Sequence, residues 1–65
     1  MNGNERDAWS PEEFARRFGF TRQFLYKLWS QGQGPKFFRV GRKVLISREA
    51  ADDWRRQREA QAVGQ

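Results

Sequence analysis

Between Thr21 and Ile46 the chain carries six basic side chains, Arg22, Lys27, Lys36, Arg39, Arg42 and Lys43, and no carboxylate. Upstream of them acids exceed bases by one, and downstream the two balance, so the whole net charge of +5 arises in this stretch. Such cations do no covalent chemistry by themselves. They can neutralise a row of phosphates, and a continuous basic segment is the electrostatic footprint of a polyanion-binding protein. Side chains able to read base edges are interleaved with them. Arg22 can fork onto guanine O6 and N7, Gln23 can pair with adenine N6 and N7, and Tyr26 can meet a thymine methyl or a phosphate. Nucleic acid is the first partner these residues imply.

Other chemistries lack their residues. The chain has no Cys and no His, which removes disulfides, thiolates, the commonest general base and the commonest metal ligand. Asp52 and Asp53 are adjacent, so on a helix they diverge and make neither an acid/base pair nor a metal site. The chain therefore reads as a non-enzyme with no catalytic residues, metal, cofactor or small-molecule ligand. No apolar run approaches the ~20 residues of a membrane span, and residues 1–8 lack the apolar core of a signal peptide. A reduced, cytoplasmic binding module is expected. At 65 residues it is one domain with a small core, helped by six Phe, three Trp and one Tyr.

The elements that must position the basic stretch are marked by caps. Residues 1–8 are polar and aperiodic and read as a flexible N-terminal arm. Ser10, Pro11 and Glu13 announce a helix with a capping box, with Trp9 and Phe14 spaced as a staple. Phe14, Ala15 and Phe18 form its apolar face, and Gly19 stops it. Thr21 caps a second helix almost at once. Phe24, Leu25 and Leu28 make its apolar stripe, and Arg22, Gln23, Tyr26, Lys27 and Ser30 occupy the rest. Trp29 falls at the boundary, open to packing under the following hairpin or to contact with another protomer. Gly32, Gly34 and Pro35 then end the helix.

Phe37–Val40 and Val44–Ser47 are β-prone runs around Gly41, Arg42 and Lys43. A three-residue turn would place Phe38, Val40, Val44 and Ile46 on one face; a two-residue turn would put Lys43 beside Phe38 and Val40. The first is expected, because a one-residue slip exposes an apolar set. Ser47 caps a last helix whose inner face is Ala50, Ala51 and Trp54. Asp52–Arg56 and Arg55–Glu59 have the favourable acid and base spacing on it, and fraying is expected near Ala60. Phe14, Phe18, Phe20, Phe24, Phe38 and Trp54 are assigned to the core. Arg55, Arg56 and Arg58 have local acids and read as a solvated face.

Two helices joined by so tight a turn, with small Ala15 four residues before Gly19, form a helix-turn-helix pattern. A basic hairpin directly after it is placed as a wing. The fold expected is mainly α with a small β-hairpin, in the order helix, helix, two-stranded wing, helix. The domain spans residues 9–60, followed by a frayed C-terminus at 61–65.

Trp9-Ser10-Pro11-Glu12-Glu13-Phe14-Ala15, Gly19-Phe20-Thr21, Phe38-Arg39-Val40-Gly41-Arg42-Lys43-Val44-Leu45-Ile46-Ser47-Arg48 and Trp54 together resemble the excisionase/AlpA-like winged helix-turn-helix family, which is MerR-like. The resemblance covers roughly residues 9–56. It implies a DNA-binding protein of bacterial or phage origin, nucleoid-associated, with no catalysis. Its recognition helix would present Thr21, Arg22, Gln23, Tyr26 and Lys27 to the major groove. Gly41, Arg42 and Lys43 would form the wing, with Lys36 and Arg39 on backbone phosphates.

The function implied is an excisionase, or recombination directionality factor. It would bind and bend double-stranded DNA cooperatively, beside other copies of itself, and so steer an integrase towards excision. The alternative is a transcriptional regulator of a prophage, plasmid or mobile element. A third reading, from a different class, is a protein-interaction module whose basic strip docks an acidic partner.

Overall fold

The computed structural model describes residues 7–63, in which three helices pack on a small three-stranded antiparallel sheet. The elements run β1 (Ala8–Trp9), α1 (Pro11–Phe18), α2 (Arg22–Ser30), β2 (Phe38–Val40), β3 (Lys43–Ser47) and α3 (Arg48–Val63). Residues 1–6 of the expected arm and 64–65 of the expected C-terminal tail lie outside the described residues.

Local side-chain chemistry sets each helix start. The Glu13 N–H donates to Ser10 Oγ at 3.2 Å, and the Ser10 N–H donates to Glu13 Oε1 at 3.1 Å, a complete capping box. Pro11 takes the first helical position, where no N–H is needed. Gly19 closes α1 at φ 83°, a left-handed conformation costly for other residues. Thr21 Oγ1 then accepts the Phe24 N–H at 3.1 Å and starts α2. Only Gly19, Phe20 and Thr21 separate the two helices, and the buried Ala15 lets α2 cross close by. Ser47 Oγ caps α3 by accepting the Ala50 N–H at 3.0 Å.

The core lies where α1, α2, β3 and α3 meet. Phe14, Leu25 and Ile46 are fully buried, and Leu28, Ala51 and Trp54 complete the cluster. Each such large side chain contributes about 1.5–3 kcal/mol through burial. Around Phe14 the rings interlock: Phe18 stacks at 4.5 Å and Trp54 meets it edge-on at 5.6 Å.

The structure corrects the sequence reading in several places. β3 is the central strand, with β2 on one side and the unexpected β1 on the other. Ala8 pairs with Ser47 and Trp9 with Ile46, while the Arg48 N–H donates to the Asp7 carbonyl at 2.8 Å. Asp7 and Ala8, assigned to the arm, are thus tied to the β3–α3 junction. A strand of two residues has no alternation by which to be recognised.

The hairpin register also differs. Phe38 pairs with Leu45, Arg39 with Val44 and Val40 with Lys43, so Gly41 and Arg42 alone make the turn. Gly41 has φ 62° and Arg42 does not have positive φ. That is the pattern of a two-residue II′ turn, whose twist suits the strands it joins. The expected three-residue turn is therefore wrong. β2 turns Phe38 and Val40 outward, 43% and 57% exposed, on the face shared with Lys43 and Leu45. Phe37 is as exposed as Phe38, at 43%, and its ring meets Trp29 at 4.6 Å.

Phe24 is likewise not core: it is 45% exposed, and its ring meets Phe20 in a T-shaped contact at 5.3 Å. The buried stripe of α2 narrows to Leu25 and Leu28. Phe18 and Phe20 are half-buried at the core's margin. α3 continues past Ala60 to Val63. Arg55 pairs with Glu59 at 3.4 Å as expected. Asp52 pairs with Arg55 at 3.8 Å instead of Arg56, which takes Asp53 at 3.6 Å. Among the described residues, no helix is long and apolar enough to cross a membrane.

Candidate nucleic-acid interface

α2 buries Leu25 and Leu28, and with a turn every 3.6 residues this forces Arg22, Gln23, Tyr26 and Lys27 outward. All four are exposed, as is Thr21. The first turn of α2 is electrostatically unusual for this molecule. Glu12 and Glu13 stand in the first turn of α1 and Glu49 in that of α3, but α2 has no acid there. The Phe24 N–H is taken by Thr21 Oγ1 and the Leu25 N–H by the Thr21 carbonyl. Among the described residues, the N–H groups of Arg22 and Gln23 have no protein acceptor. The positive end of the helix dipole lies behind them.

The six bases of the central stretch are all exposed, and among the described residues none has an ion-pair partner. The contrast is with Arg16, Arg48, Arg55 and Arg56, each within 4 Å of a carboxylate.

A strap of residues 31–37 fixes the hairpin relative to α2. The Trp29 indole N–H donates to the Pro35 carbonyl at 2.7 Å, and the Trp54 indole N–H donates to the Gln33 carbonyl at 2.9 Å. Helices α2 and α3 thus each pin one carbonyl of the strap. Gly34 lies so close to the Trp29 ring that a Cβ there would overlap Cδ1 and Nε1. Tyr26, Trp29 and Phe37 form a continuous row of rings from the exposed face of α2 to the start of β2, with centroids 5.2 and 4.6 Å apart. Trp29 therefore packs inside its own chain, under the strap.

The structure brings together some of the expected site residues and separates others. Thr21, Arg22 and Gln23 line one cleft at the start of α2. Gly41 and Arg42 are the turn at the hairpin tip. Arg39 shares a face with Val44, whereas Lys43 projects from the opposite face beside Val40. Lys36 stands apart, in a cleft at the base of the hairpin with Glu49 and Asp53 of α3. The sequence set omits Arg16, which lines the cleft of Arg22 and Gln23 and also borders Lys43. It lies in the upstream segment, where acids exceed bases by one. Comparison with protein-family models, with curated proteins and with solved structures gives no match.

Proposed function

We propose that the chain is a winged helix-turn-helix protein that binds double-stranded DNA sequence-specifically, with α2 in the major groove and the β2–β3 hairpin as the wing. One observation carries this reading. The first turn of α2 has backbone N–H groups without an acceptor among the described residues and no acid of its own, directly beside exposed Arg22, Gln23, Tyr26 and Lys27, with Glu12 of α1 bordering the same cleft. A phosphate seated on those N–H groups fixes the register of the helix, and the side chains then reach base edges. Arg22 suits guanine and Gln23 suits adenine. The tip residue Arg42, held by the strap at a set distance from α2, reaches a neighbouring phosphate or the minor groove.

A single module of this size covers about 600–1,000 Å² of its own surface on DNA. Useful specificity then calls for copies on adjacent sites or a partner enzyme on the same DNA. The finer role, a recombination directionality factor that helps an integrase towards excision, rests on the family resemblance. A transcriptional regulator of a mobile element uses the same surface. An excision assay and a promoter-reporter assay, run in parallel, separate the two.

Labelled duplexes carrying candidate sites, titrated with and without excess random competitor, test DNA recognition itself. The reading expects a footprint that survives the competitor at moderate salt. If random DNA competes as well as any site, and an acidic protein is bound stoichiometrically instead, the surface is a protein-docking one and the DNA reading falls.

A further inference from the structure

Two side chains of α1 share a place that no other residue among the described ones occupies. Glu12 and Arg16 line the cleft of Thr21, Arg22 and Gln23, and they also line the cleft of Lys43 and Leu45. They form the ridge between the start of α2 and the start of β3. Their charged groups lie 3.7 Å apart, with side chains 67% and 74% exposed. The ridge thus carries a cation that borders the cleft of Arg22 on one side and that of Lys43 on the other, and a carboxylate at the same spot.

Resting on the DNA-binding reading, we infer that Arg16 is a further phosphate contact, which joins the helix and wing surfaces into one track, and that Glu12 is its resident competitor. A carboxylate and a phosphate accept the same guanidinium fork. In free protein Glu12 holds Arg16. On docking, Arg16 leaves the carboxylate for a phosphate oxygen, and the exchange subtracts from the affinity for every sequence alike. An exposed pair at this spacing is weak enough to be exchanged readily. Glu12 is also free for this task, because the capping box of α1 is made by Glu13. Glu12 acts through Arg16 and is a positioning residue.

The test is a set of four proteins, wild type, Arg16→Ala, Glu12→Gln and the double variant, titrated with a defined duplex and a random duplex across a salt series. Thermal melting of each checks that the fold is kept, as expected for two exposed positions. Arg16→Ala should lower the magnitude of the log K against log[salt] slope by about 0.9, the share of one phosphate. Glu12→Gln should tighten binding to both duplexes about two- to fivefold, the worth of an exposed ion pair. In the Arg16→Ala background the same change should do almost nothing.

A wild-type slope for Arg16→Ala overturns the contact. Equal tightening by Glu12→Gln in both backgrounds overturns the exchange, leaving Glu12 a plain repulsive charge. If Arg22→Ala weakens binding and Arg16→Ala does not, this inference alone fails. If the wild type binds no duplex at all, the DNA reading fails first.

Discussion

At the scale of single residues, the interface depends on which side chains the burial of α2 leaves outside. Leu25 and Leu28 fix the rotation of the helix, and Arg22 and Gln23 follow from it. Replacing either with Ala should cost about 1–3 kcal/mol of discrimination at one base pair, leaving other positions of the site unchanged. Binding titrations against a panel of singly substituted duplexes read this directly, and a uniform loss across the panel would count against base contact. Arg42→Ala should behave in the opposite way, weakening all duplexes together and flattening the salt dependence by about one phosphate. The six bases of the central stretch were legible in the sequence because charge needs no fold to be counted. Arg16 was not, because its neighbour Glu12 cancels it on paper, and only the structure shows that the pair borders both clefts.

At the scale of elements, caps were legible and pairings were not. Ser10-Pro11-Glu13, Thr21 and Ser47 each state a helix start through a local hydrogen bond, and the structure has all three. The register of β2 against β3 depends on a choice between one and two residues after Gly41, and burial was the wrong arbiter. The twist of the two-residue turn outweighs the exposure of Phe38 and Val40. β1 was invisible for a related reason: its two residues find their partners only after the chain has turned back on itself.

The joint between α2 and the hairpin is where an element-scale change should be most telling. Gly34→Ala forces a methyl against the Trp29 ring and should destabilise the protein by about 1–3 kcal/mol. Trp29→Phe removes the donor to the Pro35 carbonyl and should cost about 0.5–1.5 kcal/mol. Urea unfolding gives both values. If both proteins kept wild-type midpoints, the strap would be far looser than its two indole bonds indicate.

At the scale of the whole molecule, a small core supports an unevenly charged surface. Phe14 is the buried ring that α1 contributes to the core, and Phe14→Ala should remove about 3–5 kcal/mol, enough to unfold much of a domain this size. Far-ultraviolet circular dichroism checks it, and a folded variant would show that the ring cluster is redundant. If about five phosphates are neutralised when the intact surface docks, log K should fall against log[salt] with a slope of about −4 to −5. A slope near zero would mean that the basic stretch meets no polyanion.

Of the three tryptophans, two donate their indole hydrogens to the same short strap, and the third, Trp9, lies under Arg17 in β1. The native chain therefore contains an optical reporter at the joint between helix and hairpin. Emission that shifts when a duplex is added signals a hinge that gives on docking. Emission that holds steady signals a helix and a hairpin set in fixed alignment before any partner arrives.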